Sequence, residues 1–297
     1  MSKRPLRVPA LIAAVSTSSI VVAQEPPELD VSYGVSETQM LTIGYLDHGE
    51  GPVVLFYHPG VDARYWQRAI EAVAPSFRAI AFPIDASTPP AFSFVSQAFS
   101  LAAIIEGISN GLNVEPPHLV AHSFGGREAL ELAIARPELI ASLTVIEPAL
   151  APDSESLTRL RNAAAESDVT CPFADLPADR QTICRFNLFI NEPGYYDNAP
   201  DGLLALAPQP DAEGPPALEM LWPTELPPIC DQLGQLEMPI LFIRGELTPE
   251  PVQASLDAYE ACLPDHVSEV IAGSAHYPFV YNPEAFNEVL LGFLRAR

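Results

Sequence analysis

The chain has 297 residues, 48% hydrophobic and 18% charged, with 32 prolines. That much apolar side chain can offset the entropy of ordering a backbone, which excludes disorder, and no short repeat of a collagen or coiled-coil kind is present. Lys+Arg total 15 against 38 Asp+Glu, a net charge of −23, and Lys3 is the only lysine. A basic face able to neutralise phosphates cannot be built from this inventory, so nucleic acid is excluded and anionic membrane surfaces are disfavoured as partners. The acidity reads as a feature for solubility or a salty environment, the alternative being a preference for cationic substrates.

Residues 1–23 open with Lys3, Arg4 and Arg7, continue through a mostly apolar run and end in Val21-Val22-Ala23. This is the pattern of a secretory signal cleaved before Gln24. The run is interrupted by Ser16-Thr17-Ser18-Ser19 and is too weak for a lasting membrane span. A secreted or periplasmic protein is therefore expected, with no membrane contact after cleavage.

A Pro/Glu-rich leader follows, and then strand and helix patterns alternate. Strands are predicted at 41–46, 53–57 and 78–84, with a turn at His48-Gly49-Glu50-Gly51 and a helix over 65–74. Helical spacing of Phe94, Ala98, Leu101, Ile105 and Ile108 marks 93–112, and Pro116-Pro117 closes that unit. A strand at 118–121 runs into a helix ending near 136, and another strand covers 142–146. From 150 to 237 the alternation is lost among prolines and acids. It resumes with strands at 239–244 and 268–271 and helices at 251–262 and 283–295.

The expected fold is α/β, a mostly parallel central sheet with helices on both faces. Residues 24–149 and 238–297 form its core, and 150–237 an inserted helical cap.

The strongest local signal is Ala121-His122-Ser123-Phe124-Gly125-Gly126, where a buried strand meets a helix. A sharp turn there strains the backbone of its central residue and projects the side chain above the sheet, provided that small residues flank it. Ser123 then stands at a helix N-terminus, which favours developing negative charge. The simpler use of a serine here is an ordinary helix cap.

On this motif the chain resembles the α/β-hydrolase family over about residues 35–297, with Ala121 where Gly is usual. The resemblance implies a nucleophile elbow. Ser rather than Asp at its tip implies acyl chemistry, unlike the dehalogenases and epoxide hydrolases of the same fold. A Ser hydroxyl needs a base, and the resemblance assigns His276, in Gly273-Ser274-Ala275-His276-Tyr277-Pro278 after the last strand. His122 reads as a packed neighbour; His48, His118 and His266 lie on a turn, a strand start and an exposed connection.

The family commonly carries its acid in a Gly-x-x-Asp pattern after the strand that follows the cap. Here that stretch is Gly245-Glu246-Leu247-Thr248, with Thr in place of Asp. A subset of the fold supplies Glu after the strand that follows the nucleophile helix, and Glu147 stands there, a carboxylate closing an apolar strand. Glu147 is taken as the acid and Glu246 as the alternative. For the oxyanion hole the resemblance implies the backbone N–H of Phe124 and one from His58-Pro59-Gly60-Val61; Pro59 has none, which leaves Gly60 or Val61, with Gly60 favoured.

Trp66 reads as core. Phe189, Tyr195, Tyr196 and Trp222 either line a substrate pocket or form the cap's own core. Cys171, Cys184, Cys230 and Cys262 lack C-x-x-C spacing. Two disulfides suit export, and Cys171–Cys184 with Cys230–Cys262 is favoured on sequence proximity, buried free thiols being the alternative.

No phosphate loop, nucleotide fingerprint or clustered metal ligands appear, so no cofactor is expected. The expected activity is a serine hydrolase cleaving a small-molecule carboxylic ester through Ser123, His276, Glu147 and an acyl-enzyme. Carbon–carbon bond hydrolases and cofactor-free haloperoxidases resemble the same arrangement, and a non-catalytic binding protein on the same fold is a further alternative.

Overall fold

A computed structural model describes residues 32–37, 42–58, 63–82, 94–149, 151–170, 181, 184–185, 188–190, 226–263 and 265–297. The expected signal at 1–23, together with Gly60, Cys171, Tyr195, Tyr196 and Trp222, lies outside them. The described strands are β1 (Ser32–Glu37), β2 (Thr42–His48), β3 (Val53–Tyr57), β4 (Arg78–Phe82), β5 (His118–His122), β6 (Ser142–Ile146), β7 (Ile240–Gly245) and β8 (Val267–Ile271). The described helices are α1 (Gln67–Val73), α2 (Phe94–Leu112), α3 (Phe124–Ala135), α4 (Ser154–Glu166), α5 (Cys230–Leu233), α6 (Glu250–Glu260), α7 (Pro278–Tyr281) and α8 (Pro283–Arg295).

The strands form one sheet in the order β1-β2-β4-β3-β5-β6-β7-β8. The ladders on either side of β2 are antiparallel and the remaining ladders, from β4 to β8, are parallel. Strands buried on both faces need apolar residues at every position, and the side chains of β3 divide accordingly. Val53, Leu55 and Tyr57 join one core with α2, α3 and Tyr259 of α6. Val54 and Phe56 join the other with α1, Phe279 and the buried stripe of α8 (Phe286, Leu290, Phe293, Leu294). The α/β architecture with helices on both faces is as expected.

Two local differences have physical causes. His48, read as the start of a turn, is the last residue of β2, because its backbone pairs with Ala79; the bend follows at residues 49–52. The segment Ser32–Glu37 pairs along its whole length with β2. Its sequence offers only Tyr33 and Val35 alternating with Ser32, Gly34 and Ser36, a short signal from which no strand is predicted.

Past β6 the chain enters the segment read as a cap. Its two ends run side by side, since Ser154 Oγ donates to Leu226 O at 3.0 Å and accepts from Leu226 N at 2.7 Å. The fully buried Arg127 of α3 joins both ends to the core, donating to Ala151 O at 2.9 Å and Pro227 O at 2.8 Å while its Nε meets Glu131. A buried guanidinium is tolerable only with such a full set of acceptors. Cys230 and Cys262 are joined in a disulfide that ties the start of α5 to the end of α6. No described cysteine is a free thiol; the pairing of Cys171 lies outside the described residues.

A second buried polar contact sits under the sheet. Tyr57 Oη donates to Glu128 Oε2 at 2.5 Å, and Glu128 is fully buried with no described partner for Oε1. Burial pushes the Glu128 carboxyl up to about 8. The folded state therefore holds a proton that the unfolded chain releases near its ordinary value, so this group's contribution falls as pH rises from about 4.5 to 8. Glu128→Gln removes that dependence. Thermal unfolding should show Glu128→Gln more stable than wild type at pH 8.5, with the difference shrinking towards pH 5. An equal difference at both values would place the Glu128 proton elsewhere.

Candidate active site

The strand order reverses around β3 and β5, and a crevice opens beyond the carboxyl ends of strands at such a point. Ser123 stands there, between the last residue of β5 and the first of α3, at φ 57° and ψ −125°. A non-glycine residue reaches positive φ only where its surroundings over-determine it. Ser123 N donates to Ile146 O at 3.0 Å, and its carbonyl accepts from Gly126 N at 3.0 Å, which fixes the turn from both sides. A Cβ on Gly126 would lie 3.0 Å from Pro148 Cβ and 3.1 Å from Val145 Cγ1. Glycine thus lets α3 settle against the end of β6.

The Ser123 hydroxyl does not cap α3. Instead Oγ lies 2.9 Å from His276 Nε2, across 153 positions of sequence, and both residues are buried. His276 is carried by the loop between β8 and α7. The main chain of that loop is laced to the segment after β7, with Leu247 N donating to Ser274 O at 2.8 Å and Glu246 N to Ile271 O at 2.9 Å. Gly245 makes the approach possible, because a Cβ there would lie 2.2 Å from Ser274 O and 2.4 Å from Ala275 O.

His122 adds a specific tether to the packing expected of it. It is fully buried among the rings of His276 at 4.6 Å, His58 at 4.8 Å, Tyr277 at 4.9 Å and Phe279 at 5.0 Å. Its Nε2 lies 2.6 Å from the His276 carbonyl oxygen, so Nε2 carries the proton and donates. Burial holds its pKa well below the usual imidazole value, which keeps the ring neutral. Trp66 is buried and stacks on Phe279 at 4.1 Å, as a core residue.

Glu147 follows β6 at φ 43° and is fully buried. Its Oε1 accepts from Gly245 N at 2.7 Å and from Thr248 Oγ1 at 2.6 Å. Its Oε2 faces His276 Nδ1 at 3.8 Å, an ion-pair separation rather than a hydrogen bond. Glu246 is exposed, and its Oε2 accepts from Gly273 N at 2.9 Å. The structure thus brings Ser123, His276 and Glu147 together and leaves Glu246 on the outside of the same loops.

Phe124 opens α3, where the first N–H groups have no partner within the helix. Its side chain packs on the cluster formed by α4, Ile190, Leu226 and Val252. Phe189 packs on the same cluster, so of the four cap aromatics the one described contributes to a core. Among the described residues no group of His, Cys, Asp and Glu is arranged to hold a metal ion.

A family model described as the alpha/beta hydrolase fold matches residues 52–283, and the chain belongs to this family. A pimeloyl-[acyl-carrier protein] methyl ester esterase of Aeromonas hydrophila is 28% identical over 262 residues, covering 83% of this chain and 96% of the relative. Among solved structures, a carboxylesterase from Bacillus subtilis superposes with a TM-score of 0.60 at 19% identity, over 91% of this chain and 93% of that one. An enol-lactonase from Burkholderia xenovorans gives 0.66 at 15% identity, over 88% and 100%. At such identities the two superpositions speak to the fold alone.

One substitution tests the assembly of these loops. Gly245→Ala should lower the unfolding temperature by several degrees, because its Cβ meets backbone oxygens that cannot yield cheaply. Unchanged melting would mean that the loop carrying His276 has room to move.

Proposed function

We propose that this protein is a serine hydrolase that cleaves a small-molecule carboxylic ester. The observation that carries the reading is the 2.9 Å approach of Ser123 Oγ to His276 Nε2, with the serine on a positive-φ turn at a helix N-terminus. The esterase relative, matched over nearly its whole length, supports the ester as the bond attacked.

In this reading Ser123 Oγ attacks the ester carbonyl carbon while its proton passes to His276 Nε2. The carbonyl oxygen becomes an alkoxide held by the N–H of Phe124 and by a second N–H assigned to Gly60. Collapse breaks the bond to the alcohol oxygen, which takes the proton from His276. Water then attacks the acyl-serine with His276 as base, releasing the carboxylic acid and restoring the hydroxyl. Glu147 Oε2, 3.8 Å from Nδ1 at rest, draws closer as the imidazolium forms and accepts a hydrogen bond from its Nδ1–H, which stays on the ring.

The expected signal at 1–23 and the Cys230–Cys262 disulfide together support an exported enzyme working in an oxidising compartment. The segment 150–237 is assigned the role of a cap that selects the substrate.

Hydrolysis of a p-nitrophenyl ester tests the assignment. Ser123→Ala should lose about a thousandfold or more in kcat while circular dichroism stays that of the wild type. Glu147→Gln should fall by at least about tenfold, and Glu246→Gln by less than about twofold. Retained turnover in Ser123→Ala would remove the serine from the mechanism, and the reverse order of the two glutamate variants would move the acid to Glu246.

A further inference from the structure

The carboxylate of Glu147 is unusual in how it is held, and the holding group lies on another strand's loop. Thr248, three residues beyond β7 and only 3% exposed, donates its hydroxyl to Glu147 Oε1 at 2.6 Å. Gly245 N donates to the same oxygen at 2.7 Å. Oε1 therefore has two donors, while Oε2 has none among the described hydrogen bonds and faces His276 Nδ1. A glutamate reaches its target through three side-chain torsions, the last of which is broad and costs little to turn. Pinning one oxygen with donors from two directions fixes the plane of the carboxylate and hence the place of the other oxygen.

The geometry points to Thr248 as a positioning residue for the acid: its hydroxyl anchors Glu147 Oε1 so that Oε2 stays on the imidazole of His276. It makes no contact with the imidazole in the described hydrogen bonds and acts through Glu147. The loop that carries it is rigid enough for this work. Leu247 and Glu246 are laced by their N–H groups to Ser274 and Ile271, and Gln253 Nε2 donates to Thr248 O at 2.6 Å. An Asp at this place, as in the Gly-x-x-Asp pattern, would set a second carboxylate against Glu147, whereas the Thr248 hydroxyl donates to it. The inference rests on the serine-hydrolase reading above and adds a residue to it.

The test compares Thr248→Val and Thr248→Ala, which lack the hydroxyl, with Thr248→Ser, which keeps it, in the full chain and with the same p-nitrophenyl ester. Loss of the hydroxyl should lower kcat about tenfold with KM changed by less than about twofold, and Thr248→Ser should recover most of that loss. Because the effect passes through Glu147, adding Thr248→Val to Glu147→Ala should cost less than about twofold more. Using two hydroxyl-free variants, each checked by thermal unfolding, separates a poorly folded protein from a poorly held acid. Wild-type kcat in whichever of them folds would overturn the inference, as would a full additive loss on top of Glu147→Ala. If Ser123→Ala and Glu147→Ala are themselves active, the hydrolase reading fails instead, which is a different outcome.

Discussion

The site depends on a backbone that turns where an L-residue prefers not to. At Ser123 the chain leaves β5, takes a positive φ and begins α3 within a single residue. That conformation costs on the order of 1–3 kcal/mol and persists only under constraint from both sides. The parallel ladders to β3 and β6 hold the strand, the Ser123 N–H is bonded to Ile146 O, and the bare Cα of Gly126 lets the helix sit against Pro148. The cost is met by packing, and what it secures is direction: the hydroxyl leaves the helix end uncapped and meets His276.

The neighbouring strand ends repeat the same device in different forms. Glu147 also turns at positive φ just past β6, and Gly245 closes β7 with no side chain to obstruct the loop carrying His276. Each of the three side chains is therefore placed by the end of a parallel strand, and the loops are joined to one another largely through main-chain atoms. His122 extends this by gripping the carbonyl of His276 from the strand that presents Ser123. Such a site needs few polar side chains of its own, because the sheet fixes the spacing and the backbone supplies most of the donors.

Much of this was legible in the sequence. Continuous apolar runs at 53–57 and 142–146 can hardly be anything but strands covered on both faces, and the small residues after Ser123 announce a turn too tight for larger ones. The position of His276 after the last strand followed from the family resemblance. Other features were hidden because their meaning is tertiary. Arg127 and Glu128 look like solvent-facing charges of α3, yet the acceptors of Arg127 are carbonyls near 151 and 227, and Glu128 meets Tyr57 from a different strand. Thr248 was read as a gap in an acidic pattern; its hydroxyl acquires a role only once β6 and β7 lie side by side. The edge strand β1 was missed because its signal is only Tyr33 and Val35 alternating with Ser32, Gly34 and Ser36, next to a Pro/Glu-rich leader, and its pairing with β2 is a tertiary fact.

The central claim is that Ser123 is a nucleophile activated by its neighbours, and covalent capture tests it most directly. The folded protein would be treated with a fluorophosphonate, digested and mapped by mass spectrometry, alongside a sample denatured beforehand. The expected result is a single phosphonylated peptide bearing the adduct on Ser123 in the folded sample and no adduct in the denatured one. An unlabelled Ser123 in a protein that still hydrolyses esters, or an adduct carried by a different serine, would contradict it.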